Sequence, residues 1–437
     1  MNLFDLRAHR TTARREIIAG ATTFAAMSYI IVVQPTVLAA AGMDFDAVMA
    51  ATCLASCVAT LLMGFLANYP IALAPAMGHN FYFVYGVCLG LGVPWQDALG
   101  ANFLAGVVFV VLSAVGLRER VIQILPASLK HAIGAGIGLL IAFVGLQWGG
   151  VVIARPGTLV GLGHLTAAPV AITLGGILLL FALHARRVPG AVPLTMVVTA
   201  LACVGTGLVP FAGIAGWPPS VRPTLFQLDI AGAVRPSMLE ALFLFFFLAL
   251  FDTVGTLIGV ADRAGLLRNG ELPRARRALL ADSLGIVQGT LWGTSTITSY
   301  VESAAGVAEG GRTGLANVIT AMLFLAALFF APLARTIAGG VDLDGVHLQP
   351  VVAPPLVLIG AFMMASAAQI AWRDPEEALP AFLCIAMMPL SFSIADGIGF
   401  GILAHCGLRL ALGRIREIDP LLGIAGLLFV LRFAWGS

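Results

Sequence analysis

Long apolar runs recur along this sequence, and they constrain the fold more than any other feature. An apolar stretch of about 18 residues or more can cross the hydrocarbon core of a bilayer as an α-helix. The chain of 437 residues is 59% hydrophobic and 11% charged, whereas soluble domains carry about 25% charged residues. No alternation of apolar and polar residues dominates, which argues against a transmembrane β-barrel. The sequence therefore predicts an all-α polytopic membrane protein.

About fourteen apolar segments are predicted to cross the bilayer. A further stretch, 420–434, contains Arg432 and is predicted to span the membrane or to lie at its interface. Arginines such as Arg118, Arg120 and Arg268 are concentrated in alternate connections between the spans. Since positively charged connections stay on the cytoplasmic side, both termini are predicted to be cytoplasmic. The predicted location is the inner or plasma membrane. The predicted segments are 17–41, 48–68, 71–87, 96–116, 128–148, 169–185, 189–212, 237–260, 275–292, 294–308, 313–332, 353–371, 377–391 and 394–412.

The two halves of the chain resemble each other at a common offset of about 215–226 residues. HAIGAGIGLLIAF at 131–143 is echoed by PLVLIGAFMMASA at 355–367, and 99–116 is echoed by 314–331. Because seven spans per copy is an odd number, the second copy must be inverted, as in many secondary transporters. The predicted parts are a cytoplasmic N-terminal segment (1–16), a first repeat (17–212), an outer connecting loop (213–236), a second repeat (237–412) and a C-terminal segment (413–437).

One segment in each half is a poor helix former. The first, NYPIALAPAMGHNFYFVYG at 68–86, contains two prolines and then Gly78 and Asn80; the second, WGTSTITSYVESAAG at 292–306, is rich in hydroxyl and β-branched residues. Irregular backbone at membrane depth is tolerated only where protein buries it or a cavity hydrates it. Ordinary packing by Gly and Pro is the alternative for one segment alone, but a symmetric pair indicates the substrate site. We expect each to begin as a short extended piece and continue as a half-helix, with the N-termini meeting near the midplane.

Carboxylates are rare inside the apolar segments. Asp252 and Glu302 lie within predicted spans, at positions that no helix cap explains. Because a charge at the bilayer centre costs roughly 3 kcal/mol or more, such residues are candidates for a functional site. The alternative is a neutral, protonated carboxyl group bonded to backbone. Asp282 and Asp396 lie nearer predicted helix starts, and we interpret them as helix-capping carboxylates.

The embedded acids and the broken segments together suit a proton-coupled site for a neutral, planar, polar ligand. A carboxyl group shielded from water takes up a proton more readily, and it accepts hydrogen bonds from N–H groups. Asn80 offers both a donor and an acceptor. One ring of the run Phe81, Tyr82 and Phe83, for which we choose Phe83, is expected to stack on the ligand. No embedded Lys or Arg accompanies the acids, which argues against an anionic substrate.

Other classes of function have little support in the sequence. Basic residues are few and scattered, so nucleic-acid binding is not predicted. The six cysteines lie singly, mostly inside apolar segments, so neither a disulfide nor a metal site is predicted. The seven histidines are dispersed and no base stands beside the hydroxyls of GTST or TSY, so enzymatic activity and a cofactor are not predicted. A channel is a further alternative, but it requires neither an inverted repeat nor embedded acids.

Five stretches resemble the AzgA-type adenine/guanine/hypoxanthine permeases, a branch of the nucleobase–ascorbate transporter (xanthine/uracil permease) family. They are TTFAAMSYIIVVQPTVLAAAGM, ALAPAMGHNFYFVYG, SLKHAIGAGIGLLIAFVGLQ, LFDTVGTLIGVA and GTSTITSYVESAAGVAEGGRTGL, and the last is highly specific. The resemblance extends from about residue 14 to beyond residue 400. It implies fourteen spans in two inverted repeats, core and gate domains, proton-coupled purine import by an elevator-type mechanism, and a homodimer.

The resemblance also assigns roles to individual positions. It implies substrate binding by Asn80, Asp252 and Glu302, and it links the two acids to proton coupling. It makes Gly78 the point where the backbone approaches the base closely. It places the backbone amides of Ser303 and its neighbours near the ligand.

The sequence departs from the family pattern at several positions. Gln34 stands where Asn is expected before a proline, and Ala76 stands where Gly is usual. His79 and Phe81 replace an aliphatic and a small residue, and Ala249 stands where many relatives carry a second acid. The preferred base among adenine, guanine and hypoxanthine therefore stays open. Two alternatives also stay open. A transporter of the same fold could carry uracil, xanthine, urate or an anion, and sodium could replace protons as the coupling ion.

Overall fold

Helices dominate the computed structural model, which describes residues 4–115, 126–188, 190–266, 272–343 and 345–435. Three arginines predicted to be cytoplasmic, Arg118, Arg120 and Arg268, lie outside these ranges. The side chain of Asp252 also lies outside the described part of the chain, although its backbone belongs to a helix.

The described residues of the first half form eight helices and three short strands. Helix α3 continues as a π-helical turn, Met63–Ala67, and α4 continues as a π-helix, Tyr82–Leu89. Strands β2 and β3 form an antiparallel hairpin. The elements are α1 Ala13–Met27, α2 Ile30–Ala39, α3 Phe45–Leu62, β1 Leu73–Pro75, α4 Met77–Phe81, α5 Trp95–Val115, α6 Ala127–Trp148, β2 Val152–Arg155, β3 Leu159–Leu162, α7 Ala168–Ala185 and α8 Ala191–Gly205.

The described residues of the second half form ten helices and three strands. Strands β5 and β6 form a second antiparallel hairpin. The elements are α9 Ile230–Ala233, α10 Leu239–Arg263, α11 Ala275–Trp292, β4 Ile297–Ser299, α12 Ser303–Ala308, α13 Gly314–Ala327, α14 Ala331–Ala338, β5 Val341–Leu343, β6 Val346–Leu348, α15 Ala353–Met364, α16 Pro375–Ser391, α17 Ile394–Ala411 and α18 Pro420–Trp435.

The predicted segments agree closely with these helices. Helix α11 has the predicted bounds, and the stretch 420–434, interrupted by Arg432, forms the helix α18. Within the described ranges, seven helical stretches are long and apolar enough to cross a membrane, by length and composition. Shorter apolar helices occur at Ala191–Gly205, Pro236–Ala249, Ala353–Gln369 and Leu422–Ala434.

Local sequence signals explain where several helices begin. Thr12, Asp44 and Ser393 each accept a hydrogen bond from the amide three residues later, which satisfies a donor that the first helical turn leaves unpaired. Asp396 lies in the first turn of α17, near the helix start as predicted. Ser393 is the capping residue there, however, and the Asp396 carboxylate lies 2.7 Å from Arg432 Nη1.

The chain divides into two compact units, residues 1–116 with 146–355 and residues 117–145 with 356–437. In the first unit α1 packs so tightly against α13 that a Cβ atom built on Gly20 would lie only 2.7 Å from Ile319 Cβ. In the second unit α6 approaches α15 equally closely, since a Cβ on Gly138 would lie 2.6 Å from Met363 Cβ. Small residues permit such close helix contacts inside membranes.

Candidate functional site

The two broken segments meet where strands β1 and β4 pair in an antiparallel arrangement. Leu73 lies opposite Ser299, and beyond the strands the Ala76 amide donates to the Thr296 carbonyl at 2.9 Å. Both strands are buried, so their irregular backbone is bonded within the protein as membrane burial requires. The predicted extended piece in each segment is confirmed. Because the strands are antiparallel, α4 and α12 follow from opposite ends of the pair, and the meeting of their N-termini near the midplane stays a prediction.

Side chains from equivalent helices of the two halves hold this strand pair. In the first half, the Thr60 hydroxyl on α3 lies 3.0 Å from both the amide and the carbonyl of Leu73. In the second half, Asp282 on α11, about 222 positions later, accepts from the Ser299 amide at 3.2 Å. This offset lies within the range that the sequence comparison of the halves predicts.

Two asparagines at equivalent positions of the neighbouring helices also bond to the broken segments. Asn102 Oδ1 on α5 accepts from the Thr296 hydroxyl at 2.7 Å. Asn317 Nδ2 on α13, about 215 positions later, donates to the Ile71 carbonyl at 2.8 Å. Each asparagine therefore bonds to the broken segment of the other half, and these contacts tie the two halves together around the strand pair.

Asp282 is not a helix cap, and our interpretation of its position was wrong. It lies in the third turn of α11 and is fully buried. Its Oδ2 accepts from the Thr253 hydroxyl at 2.7 Å, while its Oδ1 faces the amide and the hydroxyl of Ser299 at 3.2 and 3.4 Å. The carboxylate thus anchors β4, a role that proximity to the helix start in the sequence concealed.

Asn80 lies in the first turns of α4 and is fully buried. Its Oδ1 accepts a short hydrogen bond from the Ser295 hydroxyl, just before β4. Among the described residues, its Nδ2 has only the Met77 thioether within reach, at 3.9 Å, and a thioether is a weak acceptor. Asn80 therefore presents mainly its amino group, a donor, to any ligand beside it.

Gln34 reaches the same place from helix α2. It is fully buried, and its Nε2 donates to the hydroxyls of Thr294 and Ser295 at 3.0 Å each. The sequence singled out Gln34 only as a departure from a family pattern. Its part in the site could not be found there, because its partners lie about 260 positions away in the chain.

Glu302 lies between β4 and α12 and is partly buried. Its Oε1 accepts from the Tyr29 hydroxyl at 2.7 Å, and Tyr29 itself is 2% exposed. The acid is therefore positioned by a buried tyrosine at the break between α1 and α2. The sequence analysis missed Tyr29, which carries no local signal.

Ser303 and Gly78 lie in the first turns of the two half-helices. The Ser303 hydroxyl accepts from the Ala72 amide at 3.0 Å, so it joins the second broken segment to the first. Its amide donates to the Tyr300 carbonyl at 3.2 Å, and is thus already paired within the chain. Gly78 is buried, and its carbonyl accepts from the Tyr82 amide within the helix.

Asp252 lies on α10, but its side chain is outside the described part of the chain. The next residue, Thr253, is fully buried and donates to Asp282. This contact brings the helix that carries Asp252 next to the helix that anchors β4. It leaves the contacts of Asp252 itself as predictions.

The three aromatic residues after Asn80 are all buried. The Phe83 ring lies 6.2 Å from the ring of Phe245, at an interplanar angle of 50°. Tyr82 packs edge-on against the same ring at 5.1 Å. Phe81 instead stacks on Tyr85, with centroids 5.9 Å apart. Phe83 stands about one helical turn after Asn80, which is the spacing of neighbours on one face.

The site's chemistry is that of hydrogen-bond recognition. The stretches 72–83 and 293–308 contain amide, hydroxyl and carboxyl groups but no Lys or Arg. Within the described ranges, no group of three or more His, Cys, Asp or Glu side chains could hold a metal ion. Such a site suits a ligand with several N–H groups and ring acceptors.

Comparison with known proteins identifies the family. Residues 14–400 match the Permease family model Xan_ur_permease. The chain belongs to this permease family. The permease is 41% identical to the adenine permease AdeP of Escherichia coli strain K12, over 99% of this chain and 95% of the relative. It is 44% identical to the guanine/hypoxanthine permease PbuG of Bacillus subtilis strain 168, over 97% of each chain.

A solved structure shares the fold of this permease. The transmembrane domain of the cyanobacterial bicarbonate transporter BicA superposes with a TM-score of 0.63 at 16% identity, covering 88% of this chain and 97% of that one. The predicted fold is confirmed: fourteen segments in two inverted seven-segment repeats, with core and gate domains. The resemblance to adenine and guanine/hypoxanthine permeases is confirmed as well.

Proposed function

We propose that this permease imports purine nucleobases together with protons. One observation carries the proposal: Asn80 and Glu302 lie on two broken segments joined by β1 and β4, in a chain that matches adenine and guanine/hypoxanthine permeases along nearly its whole length. A purine has ring N–H groups and ring acceptors, which suit a carboxylate and an amide. The cargo is a small neutral base, and the protein acts as a transporter rather than as an enzyme.

The two acids and Asn80 bind the base from opposite sides. Glu302, held by the Tyr29 hydroxyl at 2.7 Å, accepts from an N–H group. Asp252 accepts from a second N–H group, or from an exocyclic amino group. Asn80 donates from Nδ2, because its oxygen is bonded to Ser295.

The other predicted residues shape the site. Phe83 stacks on the plane of the base. Gly78 allows the backbone to approach it. Ser303 positions Glu302 by joining the start of α12 to the chain before β1.

Proton coupling rests on the embedded acids. A proton bound by Glu302 or Asp252 neutralises a charge whose burial is costly, so the loaded site crosses the membrane more easily than the ionised one. We propose alternating access of the elevator type, in which the core moves against the gate once base and proton are bound. We propose protons rather than sodium as the coupling ion, because a carboxyl group shielded from water takes up a proton readily.

The membrane setting follows from the charge pattern. We propose a multi-pass protein of the inner or plasma membrane with both termini in the cytoplasm, because arginines are concentrated in alternate connections. The repeats occupy 17–212 and 237–412. We also propose a homodimer in the lipid bilayer, on the strength of family membership alone.

Uptake into proteoliposomes tests the choice of cargo. Purified protein should take up radiolabelled hypoxanthine, and unlabelled adenine or guanine should compete more strongly than uracil, xanthine or urate. Asn80→Leu should abolish uptake because it removes the amide donor from a buried position. Thr206→Val is the matched control, since its hydroxyl bonds to the Ala202 carbonyl on its own helix at 2.8 Å. Competition by uracil or urate but not by purines would assign the fold to another cargo.

A further inference from the structure

A directional chain of hydrogen bonds connects helix α2 to the two broken segments. Gln34 Nε2 donates to the Ser295 oxygen at 3.0 Å, and the Ser295 hydroxyl donates to Asn80 Oδ1. A serine hydroxyl has a single proton. Because Ser295 gives that proton to Asn80, it can only accept from Gln34. The contact therefore couples the orientations of the two amides: with the Asn80 oxygen on Ser295, Gln34 presents its nitrogen to Ser295 and to Thr294.

This orientation leaves two groups available in the site. Asn80 has its oxygen occupied and its amino group facing only the Met77 thioether at 3.9 Å. Gln34 has its nitrogen occupied by two hydroxyls, and its Oε1 is buried with no hydrogen-bond partner among the described residues. A fully buried carbonyl oxygen without a partner is rare in folded proteins, and where it occurs it indicates a ligand or a strained site.

We infer that Gln34 is a specificity-determining residue that reads one N–H group of the transported base. Its Oε1 accepts that N–H, while Asn80 Nδ2 donates to an acceptor of the same base. The relay through Ser295 holds the two amides so that a donor and an acceptor on the ligand are read together. This inference rests on the proposed function.

A specificity role for Gln34 and a purely structural role predict different effects when its side chain is removed. A side chain that only braces α2 against Thr294 and Ser295 affects all ligands alike when it is removed. A side chain that accepts from one N–H affects only ligands that carry that N–H. Methylated bases provide the test, because each methyl group removes the N–H group at one ring nitrogen. A methyl group on N7 or N9 also fixes the other of these two nitrogens as an acceptor.

The experiment is a cycle of variants and ligands on the full-length protein. Inhibition constants for hypoxanthine and its 1-methyl, 7-methyl and 9-methyl derivatives would be measured by competition with labelled hypoxanthine in proteoliposomes. Gln34→Met keeps the length of the side chain and removes its hydrogen-bonding groups. Thr36→Val is the matched control on the same helix, since its hydroxyl donates to the Val32 carbonyl at 2.7 Å, outside the relay.

The wild type should bind one of the three methyl derivatives at least about tenfold more weakly than it binds hypoxanthine. A factor of about ten is the contribution of one good hydrogen bond to the binding constant. Gln34→Met should weaken hypoxanthine binding by about tenfold and reduce that discrimination to near unity. Thr36→Val should retain the wild-type ratio. Ser295→Ala removes the hydroxyl that links the two amides and leaves Gln34 only its bond to Thr294. It should reduce the same ratio, and it decides the matter if Gln34→Met does not fold.

The outcomes separate this inference from the proposed function. If Gln34→Met and Ser295→Ala weaken the binding of every derivative equally, purine transport stands and Gln34 is only a brace. If the wild type binds no purine at all, the proposed function fails and this inference fails with it. A selective change at one methyl position supports both.

Discussion

Replacing Asp282 by alanine tests whether this buried carboxylate holds strand β4 in place. The side chain is fully buried and faces three donors, the Thr253 hydroxyl at 2.7 Å and the amide and hydroxyl of Ser299 at 3.2 and 3.4 Å. The contact at 3.4 Å is long, so the other two are the stronger of these three hydrogen bonds. The Thr253 hydroxyl can rotate towards another acceptor, whereas the Ser299 amide is fixed in the strand.

The magnitude follows from these two groups. Each buried donor that loses its acceptor costs about 1–3 kcal/mol, so Asp282→Ala should destabilise the protein by about 2–5 kcal/mol. Asp282→Asn should cost only about 1 kcal/mol, because its amide oxygen can still accept from the Ser299 amide and its new amino group can donate to Thr253.

Thermal unfolding in one detergent would compare both variants with the wild type. Asp282→Ala should lower the midpoint by about 2–5 °C, and Asp282→Asn by a smaller amount. Asp342→Ala is the control, since that carboxylate is 82% exposed on the hairpin of β5 and β6. Equal midpoints for Asp282→Ala and this control would refute the anchoring role.

Two further predictions address the site and the packing around it. Tyr29→Phe removes the hydroxyl that donates to Glu302 at 2.7 Å but keeps the ring, so the KM for hypoxanthine uptake should rise about tenfold with little change in stability; an unchanged KM would show that Tyr29 does not position the acid. Gly20→Ala should lower the yield of folded protein, because its Cβ would lie 2.7 Å from Ile319 Cβ, whereas Gly205→Ala, with nothing within 4 Å, should fold as the wild type does. Similar size-exclusion profiles for the two variants would contradict the close packing of α1 on α13.

Much of the fold can be predicted from the sequence, because a helix that crosses a bilayer must consist mainly of apolar residues. Apolar runs of fixed minimum length mark the spans, and α11 has its predicted bounds for that reason. The extended pieces in β1 and β4 are also readable, since proline in one segment and β-branched residues in the other disfavour continuous helix. These are local properties of the chain.

The candidate site is less readable because its decisive contacts join distant parts of the chain. Tyr29 meets Glu302 across 273 positions, and Gln34 meets Ser295 across 261. Neither residue has a local feature that marks it as functional. The error at Asp282 has the same origin: position in the helix suggested a cap, while its partners come from α10 and from β4.

The inverted repeat relates the fold to the candidate site. Equivalent positions on α3 and α11 hold opposite strands of one pair, although one side chain is Thr60 and the other is Asp282. The two halves share geometry more than residue identity, so sequence similarity between them is weak. The carboxylate occurs in the second half, which also carries Glu302.

Accumulation of hypoxanthine driven by a proton gradient tests the central claim most directly. Proteoliposomes with an inward proton gradient should concentrate labelled hypoxanthine above the external level, and those without a gradient should only equilibrate it. Glu302→Gln should lose the accumulation while still exchanging internal for external base, because the site remains but the titrating group is gone. Accumulation by the wild type that is the same with and without the gradient would contradict the account, whereas a Glu302→Gln variant with unchanged pH dependence would leave Asp252 as the carrier of the coupled proton.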